Sequence, residues 1–317
     1  MIRAIPIAIL AAVLATHSAF ACATVVFPQE KLAWAMGEKT LIAWDADKKI
    51  EHFVRSVTFD IASKSLGFIV PTPNKPEIAS VDEEAFDRLR GYVDAKLYEF
   101  DREPQTKGGL LMTAGIEQGG VQVLERAEIA GMDVAVLKAG DAASLTDWLR
   151  QNNFDARLGL LEWSKPYIKK KWVFTAFKYL RPNKSSGSRH DDSDLWKATT
   201  DGHVPQLETK VVRLSFVAPR PIYPYREPND AHLKHRTFVL YVLAPVSVTA
   251  ALDDQAVAAS EWNWSLTPAP SVPVDEEISK ALAKILPSGG DWRNTRITRF
   301  KDFHLDRPDA DVVFESR

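Results

Sequence analysis

LIAWD-ADKK-IEHFVRSVTFD, residues 41–60, is the stretch on which the fold turns. Two apolar, β-branched and aromatic runs flank four polar residues, Ala46 to Lys49, that suit a tight turn. The second run alternates in places, which is the period of a strand with one covered face. Residues 66–70 (LGFIV) repeat the pattern and end in PTPNKP, residues 71–76. Proline has no N–H to give to a ladder, so this stretch reads as an edge exit and a fixed loop. Three neighbouring runs with short connections make a β-meander, and a meander makes an antiparallel sheet.

Working outward, Ser80 and Glu83 have the spacing of a capping box, and Phe86, Leu89, Val93 and Leu97 follow at helical intervals. The acids Asp82, Glu83 and Glu84 lie where the helix dipole favours them. After a glycine-rich stretch, residues 121–129 and 132–137 read as strands joined near Gly131. Ser144, with Asp147 three residues on, marks a short helix whose apolar face is Leu145, Trp148 and Leu149. Residues 158–168 predict another helix, with Pro166 near its end, and WVFTAFKYL, residues 172–180, a strand. Residues 181–202 are polar and read as a surface loop. Strands follow at 210–217 and 237–243, with a proline–aromatic connection, PRPIYPYREP, at 219–228 between them. Residues 275–286 predict a helix with its acids first, Lys280 and Lys284 later, and Ile278, Leu282 and Ile285 inward. Strands outnumber helices and do not alternate with them. The expectation is an α+β fold, mainly antiparallel sheet with several short helices packed on it. The main domain spans residues 22–245, and 246–317 is a C-terminal extension packed on the same core.

The start of the chain gives one positive charge at Arg3, an apolar run from Ala4 to Leu14, and Ala19-Phe20-Ala21. These are the three parts of a secretory signal, and residues 1–21 are expected to be removed. The protein is then extracytoplasmic, periplasmic or secreted. Cys22 becomes the first mature residue and is the only cysteine among 317 residues, so no internal disulfide can form. Cys22 is a lipidation candidate, although Ala19 and Phe20 stand where a lipid-attachment box usually has Leu and a small residue. Lipid on Cys22 is the one expected tie to a membrane. A formal net charge of −2 gives no field that would gather nucleic acid.

Four blocks carry a resemblance to a known family. They are GFIVPTP at residues 67–73 after EHFVRSVTFD; MDVAVLKA at 132–139 leading into LTDWLRQN at 145–152; Tyr167 followed by WVFTAFK at 172–178; and VRLSF at 212–216 with PIYPYR at 221–226 and YVL at 241–243. Their order over residues 22–245 resembles the exported bacterial family called domain of unknown function 2330. The blocks are apolar and aromatic, so the resemblance implies a fold and an envelope protein and supplies no catalytic residues. Members commonly begin the mature chain with Cys-Gly-Gly, where this chain has Cys22-Ala23-Thr24.

Chemical motifs are sparse. The chain has no G-x-S-x-G, S-x-x-K, H-E-x-x-H or G-x-x-x-x-G-K. No catalytic residue and no cofactor site is assigned. Asp230, His232 and His235 come closest to a metal site, but the two histidines converge only in a helical turn, and zinc wants three or four ligands. His190, Asp191, Asp192 and Asp194 lack the spacing of a calcium loop. Trp262 and Trp264, with Trp34 or Trp44, could stack on sugars, or could simply line one strand face. Arg220, Tyr223, Tyr225 and Arg226 among prolines have the composition of a partner surface, with a structural crossover as the competing reading. Two functions remain open at this level. One is a non-enzymatic binding or scaffolding protein whose partner is an envelope protein or glycan. The other is a metal-dependent or carboxylate-based hydrolase of the periplasm.

Overall fold

The computed structural model describes residues 24–25, 33–61, 65–100, 120–154, 156, 158–180, 206–228, 237–253, 271–288, 290, 292–302 and 309–317. The hairpin read from residues 41–60 is its central element. Strand β2 (Ala33–Asp45) pairs antiparallel with β3 (Ile50–Ile61), Asp45 opposite Ile50 and Leu41 opposite Val54. Lys49 closes the turn at a positive φ of 53°.

Around this hairpin stands an eight-stranded sheet. On one side β3 pairs with β10 (Val212–Val217), and β10 with β5 (Glu77–Ser80). The short β9 (Gln206–Glu208) pairs with the far end of β3. On the other side β2 runs parallel to β12 (Thr237–Ala244), then come β15 (Arg296–Asp302) and β14 (Val272–Pro273). A five-stranded antiparallel sheet has the order β1 (Thr24–Val25), β4 (Ser65–Thr72), β8 (Val173–Leu180), β7 (Met132–Ala139), β6 (Val121–Ile129). A third sheet joins β11 (Ile222–Tyr223), β16 (Val312–Ser316) and β13 (Val248–Leu252).

The side-chain period of two turns these strands into layers. Ile42, Phe53, Phe59, Leu240 and Phe300 of the large sheet meet Phe68, Val134 and Phe177 of the five-stranded sheet in one buried cluster. Phe68 and Phe177 stack with centroids 4.7 Å apart. The opposite face of the large sheet (Leu41, Val54, Tyr241, Leu243) carries α1 (Glu83–Phe100) and α4 (Glu276–Ile285). The opposite face of the five-stranded sheet (Ile69, Leu137, Phe174) carries α2 (Ala142–Gln151) and α3 (Leu158–Lys169). The architecture is therefore helix, sheet, sheet, helix: an α+β fold, mostly antiparallel with one mixed sheet.

The helix faces follow the sequence spacing. Phe86, Leu89, Val93 and Leu97 of α1, and Ile278, Leu282 and Ile285 of α4, are all at most 1% exposed. The caps differ from expectation. Asp82, not Ser80, accepts from the α1 backbone (Ala85 N, 2.8 Å), because Ser80 is paired in β5. Asp141, not Ser144, caps α2, accepting from Ser144 N at 2.7 Å and from its hydroxyl at 2.6 Å. In each case the carboxylate stands three residues before the backbone N–H that it accepts from, which is the spacing a cap needs. Strand β4 also runs through Pro71, which stands opposite Phe174. Its other neighbour, β1, reaches only Gly67 and Phe68, so the missing N–H breaks no bond on that side. Ala130 and Gly131 both take positive φ (55° and 70°), the turn that matches the twist of the β6–β7 hairpin.

Residues beyond 245 share these sheets. Strand β15 pairs with β12 over seven residues, and β16 is the centre of the third sheet. Among the described residues, no helix is long and apolar enough to cross a membrane.

Candidate functional site

Several sequence candidates lie outside the described residues: Cys22, Asp230, His232 and His235, the 190–194 group, and Trp262 with Trp264. Among the described residues, no three His, Cys, Asp or Glu side chains gather as metal ligands.

The proline–aromatic segment is described, and its side chains go inward. Tyr223, Tyr225 and Arg226 are 0%, 1% and 4% exposed, so they do not form the partner surface that their composition suggested. Tyr223 packs 4.8 Å from the Phe238 ring and 5.9 Å from Phe53. The Tyr225 hydroxyl donates to Asp302 at 2.8 Å, and its backbone N–H donates to Asp311 at 3.2 Å. Arg226 donates to Asp309 at 2.8 Å and stands 3.7 Å from Asp311. Burial alone would lower the Arg226 pKa, but the carboxylates of Asp311 and Asp309 outweigh it and hold it raised. Asp311, wholly buried, also accepts from the Tyr167 hydroxyl at 2.7 Å and from Lys170 at 3.3 Å. Lys170 and the half-buried Arg220 both reach Asp253 at 2.6 Å. This cluster ties α3, the 219–228 segment and the C-terminal strands together. The carboxylates that make it were invisible in the sequence, because Asp253 and Asp311 lie far along the chain from their partners.

A second polar chain runs beneath the end of α4. His52 and Ser215 are register partners on β3 and β10, and His52 Nδ1 lies 2.8 Å from Ser215 Oγ. Arg213 Nε donates to the same hydroxyl at 3.2 Å, and its NH1 donates to the Ile285 carbonyl at 3.0 Å. An arginine can only donate, so Ser215 Oγ accepts from Arg213, and the direction of its bond with His52 Nδ1 follows the histidine tautomer. Burial, followed by the Arg213 cation, pushes the His52 pKa down to about 4. The pair has the atoms of a nucleophile and a base. A base so far below neutral pH is a weak proton acceptor, however, because general-base efficiency peaks when the pKa lies near the working pH. The edge of the Trp292 indole closes over the His52 ring at 6.0 Å.

Trp292 is also one wall of a concavity of about 340 Å³. Its other described walls are Ser279, Leu282 and Ala283 of α4, then Pro287, Ser288, Gly290 and Arg293. Three features shape it. Asp275 caps α4, its side chain accepting from Ile278 N at 3.0 Å, and so sets the helix start. Arg213 grips the Ile285 carbonyl and sets the helix end. Gly290 lets the backbone lie against the indole, where a Cβ would come within 2.5 Å of Trp292 Nε1. The walls combine an apolar strip, two hydroxyls, an indole and an exposed guanidinium, a composition suited to a small amphipathic ligand. In the sequence, Pro287-Ser288-Gly289-Gly290 reads only as the stop of the 275–286 helix.

The family model of uncharacterized proteins conserved in bacteria, DUF2330, matches residues 16–303. The chain belongs to this family. The match extends the region read from the four sequence blocks through α4 and β15, so the groove lies inside the family's span. No curated protein matches the chain. Among solved structures, the crystal structure of baculovirus P35 is similar over 90% of this chain and 97% of its own, at 11% identity and a TM-score of 0.44. A likeness that weak carries no argument about what the family does.

Proposed function

We propose that this family member is an exported envelope protein that works by binding rather than by catalysis, with the groove at the end of α4 as its contact site. The observation that carries the reading is the groove itself: an indole, a guanidinium and two serines around an apolar strip, on a helix fixed at both ends. A site held by a rigid frame loses little conformational entropy when it is filled. The Asp311 cluster supports the same reading from the other direction. Its carboxylate oxygens are spent on Tyr167, Lys170, Tyr225 and Arg226, which makes it a brace between layers.

The test is a titration of the mature protein with solubilised envelope glycan fragments, followed by tryptophan fluorescence. The wild type is expected to give a saturable change that Trp292→Phe loses. An identical signal from both proteins would remove the groove from the function. The mass of the protein taken from its native envelope tests export: a start at Cys22, with or without lipid, is the expected outcome.

A further inference from the structure

His52 is 7% exposed and lies two residues before Val54 on β3, so its ring is on the face that carries α4. The indole of Trp292, a wall of the groove, packs against it at 6.0 Å. Across the ladder, one hydroxyl serves two nitrogens: Ser215 Oγ is 2.8 Å from His52 Nδ1 and 3.2 Å from Arg213 Nε. Imidazole and guanidinium are therefore no further apart than those two bonds laid end to end. Arg213 also holds the last turn of α4, donating to the Ile285 carbonyl at 3.0 Å. One polar cluster thus joins the sheet, the helix end and the groove wall.

A proton on His52 would place a second positive charge in this cluster. Among the described residues, three charged groups act on the ring. Arg213 on β10 and Lys48 in the β2–β3 turn oppose the proton, and Asp45 at the end of β2 favours it. Asp45 already accepts from Lys48 Nζ at 2.7 Å. On β5, Glu77 stands 3.8 Å from Arg213, but its side chain is 76% exposed, so water screens it. Among the described residues, α4 and the turn after it bring Trp292 to the ring and no charge that acts on it. Burial, then the Arg213 cation, holds the imidazole at about 4 rather than 6.5. It returns to its ordinary value only where the ring meets water, and the aromatic group that packs on it is Trp292.

We infer that His52 is an acid-sensitive clasp on the groove, proton uptake by its imidazole favouring the form in which Trp292 and the last turn of α4 have lifted from the sheet. Helix ends open locally at a lower free energy than the whole fold. An open form takes up the proton at 6.5 and the closed form only near 4. Closure is therefore favoured above 6.5 and weakens as pH falls toward 4, the open fraction growing about tenfold per pH unit. Below 4 both forms hold the proton, and the effect stops growing. The clasp acts on a wall of the proposed binding groove, yet it is tested without a ligand, so its failure leaves the binding reading untouched.

The experiment is native-state hydrogen exchange of the mature protein, read as protection factors, which remove the pH dependence of the exchange chemistry itself. The reporter is the Leu286 amide, which donates to Leu282 O at 2.8 Å, and the reference is the set of β3 amides paired with β2. Protection at Leu286 is expected to fall about a hundredfold between pH 6.5 and about 4.5, while staying below that of β3 throughout. A fall of less than about tenfold would overturn the clasp. Equal protection at Leu286 and in β3 would overturn it too, since the helix end would then open only with the whole fold. His52→Gln keeps a hydrogen-bonding side chain and takes no proton, so the fall should vanish; an unchanged fall would assign it to another group. Arg213→Gln removes the nearby cation, lifts the His52 pKa toward 6.5 and should shrink the fall. An undiminished fall in that variant refutes the clasp even if His52→Gln does not fold.

Discussion

Two buried ionisable groups on β3, Glu51 and His52, should give this protein a stability profile against pH that hides its own causes. Glu51 points between the sheets and is 0% exposed. One of its oxygens accepts from Ile222 N at 2.8 Å, and the other has no partner among the described residues. Burial raises its pKa well above 4.5, with the Ile222 N–H opposing. His52 points to the helix face and is pushed down from 6.5 to about 4. The signs are opposite. A carboxyl with a raised folded pKa contributes stability that is complete below 4.5 and is lost as pH rises through the folded value. A histidine with a depressed folded pKa contributes stability that is present above 6.5 and is lost as pH falls toward 4. Each changes the unfolding free energy by about 1.4 kcal/mol per pH unit while its proton count differs between states. From 4.5 upward the two slopes oppose each other; above 6.5 the His52 slope is spent, and any further decline belongs to Glu51. Glu51→Gln keeps the shape and removes the titration. Its own stability should climb by roughly 2–3 kcal/mol from pH 4.5 to 6.5 and then level, while its difference from the wild type rises from 4.5 until Glu51 ionises in the folded wild type. The assay is urea unfolding at fixed ionic strength in half-unit steps from acid to mildly alkaline pH, read as the difference between the two curves. A difference curve without slope above pH 4.5 would show that Glu51 ionises in the folded state as it does unfolded, and the burial argument would fail.

Two further outcomes follow from the packing. Asp311→Asn leaves Lys170 and Arg226 without their shared charge, and removing one partner of a buried pair costs about 3–5 kcal/mol; the denaturation midpoint should fall steeply, and an unchanged midpoint would mean the cluster is not a brace. Gly67→Ala puts a Cβ 2.6 Å from the Phe154 ring and 3.2 Å from the Phe177 carbonyl, so overpacking of about 1–3 kcal/mol should lower the melting temperature.

The strands and helices that were legible in the sequence share one property: their signal is local. The hairpin of residues 41–60 needed only a turn and two apolar runs, and α1 and α4 needed only an apolar stripe. The element missed in the middle, β5, is four residues long with a half-exposed pattern, too short to show a period. The caps were misplaced by a few residues because Ser, Thr and Asp compete for the same backbone donors, and chain geometry settles which one reaches. The candidate site suffered more. PRPIYPYREP looked like a surface because prolines and arginines favour surfaces, yet Arg226 is buried by Asp309 and Asp311, some eighty residues later.

By itself, then, the sequence determined the class of the fold and the family, because periodicity and apolar blocks are written in neighbouring residues. Tertiary structure decided the rest: the parallel pairing of β12 with β2, the return of β15 into the sheet begun by β2, the placing of β16 between β11 and β13, and the ion pairs around Asp311. It also decided the groove, where Trp292 meets His52 from a strand at the other end of the chain. A charge or an indole has no meaning alone. Its burial and its partners give it one, and those are properties of long-range contacts.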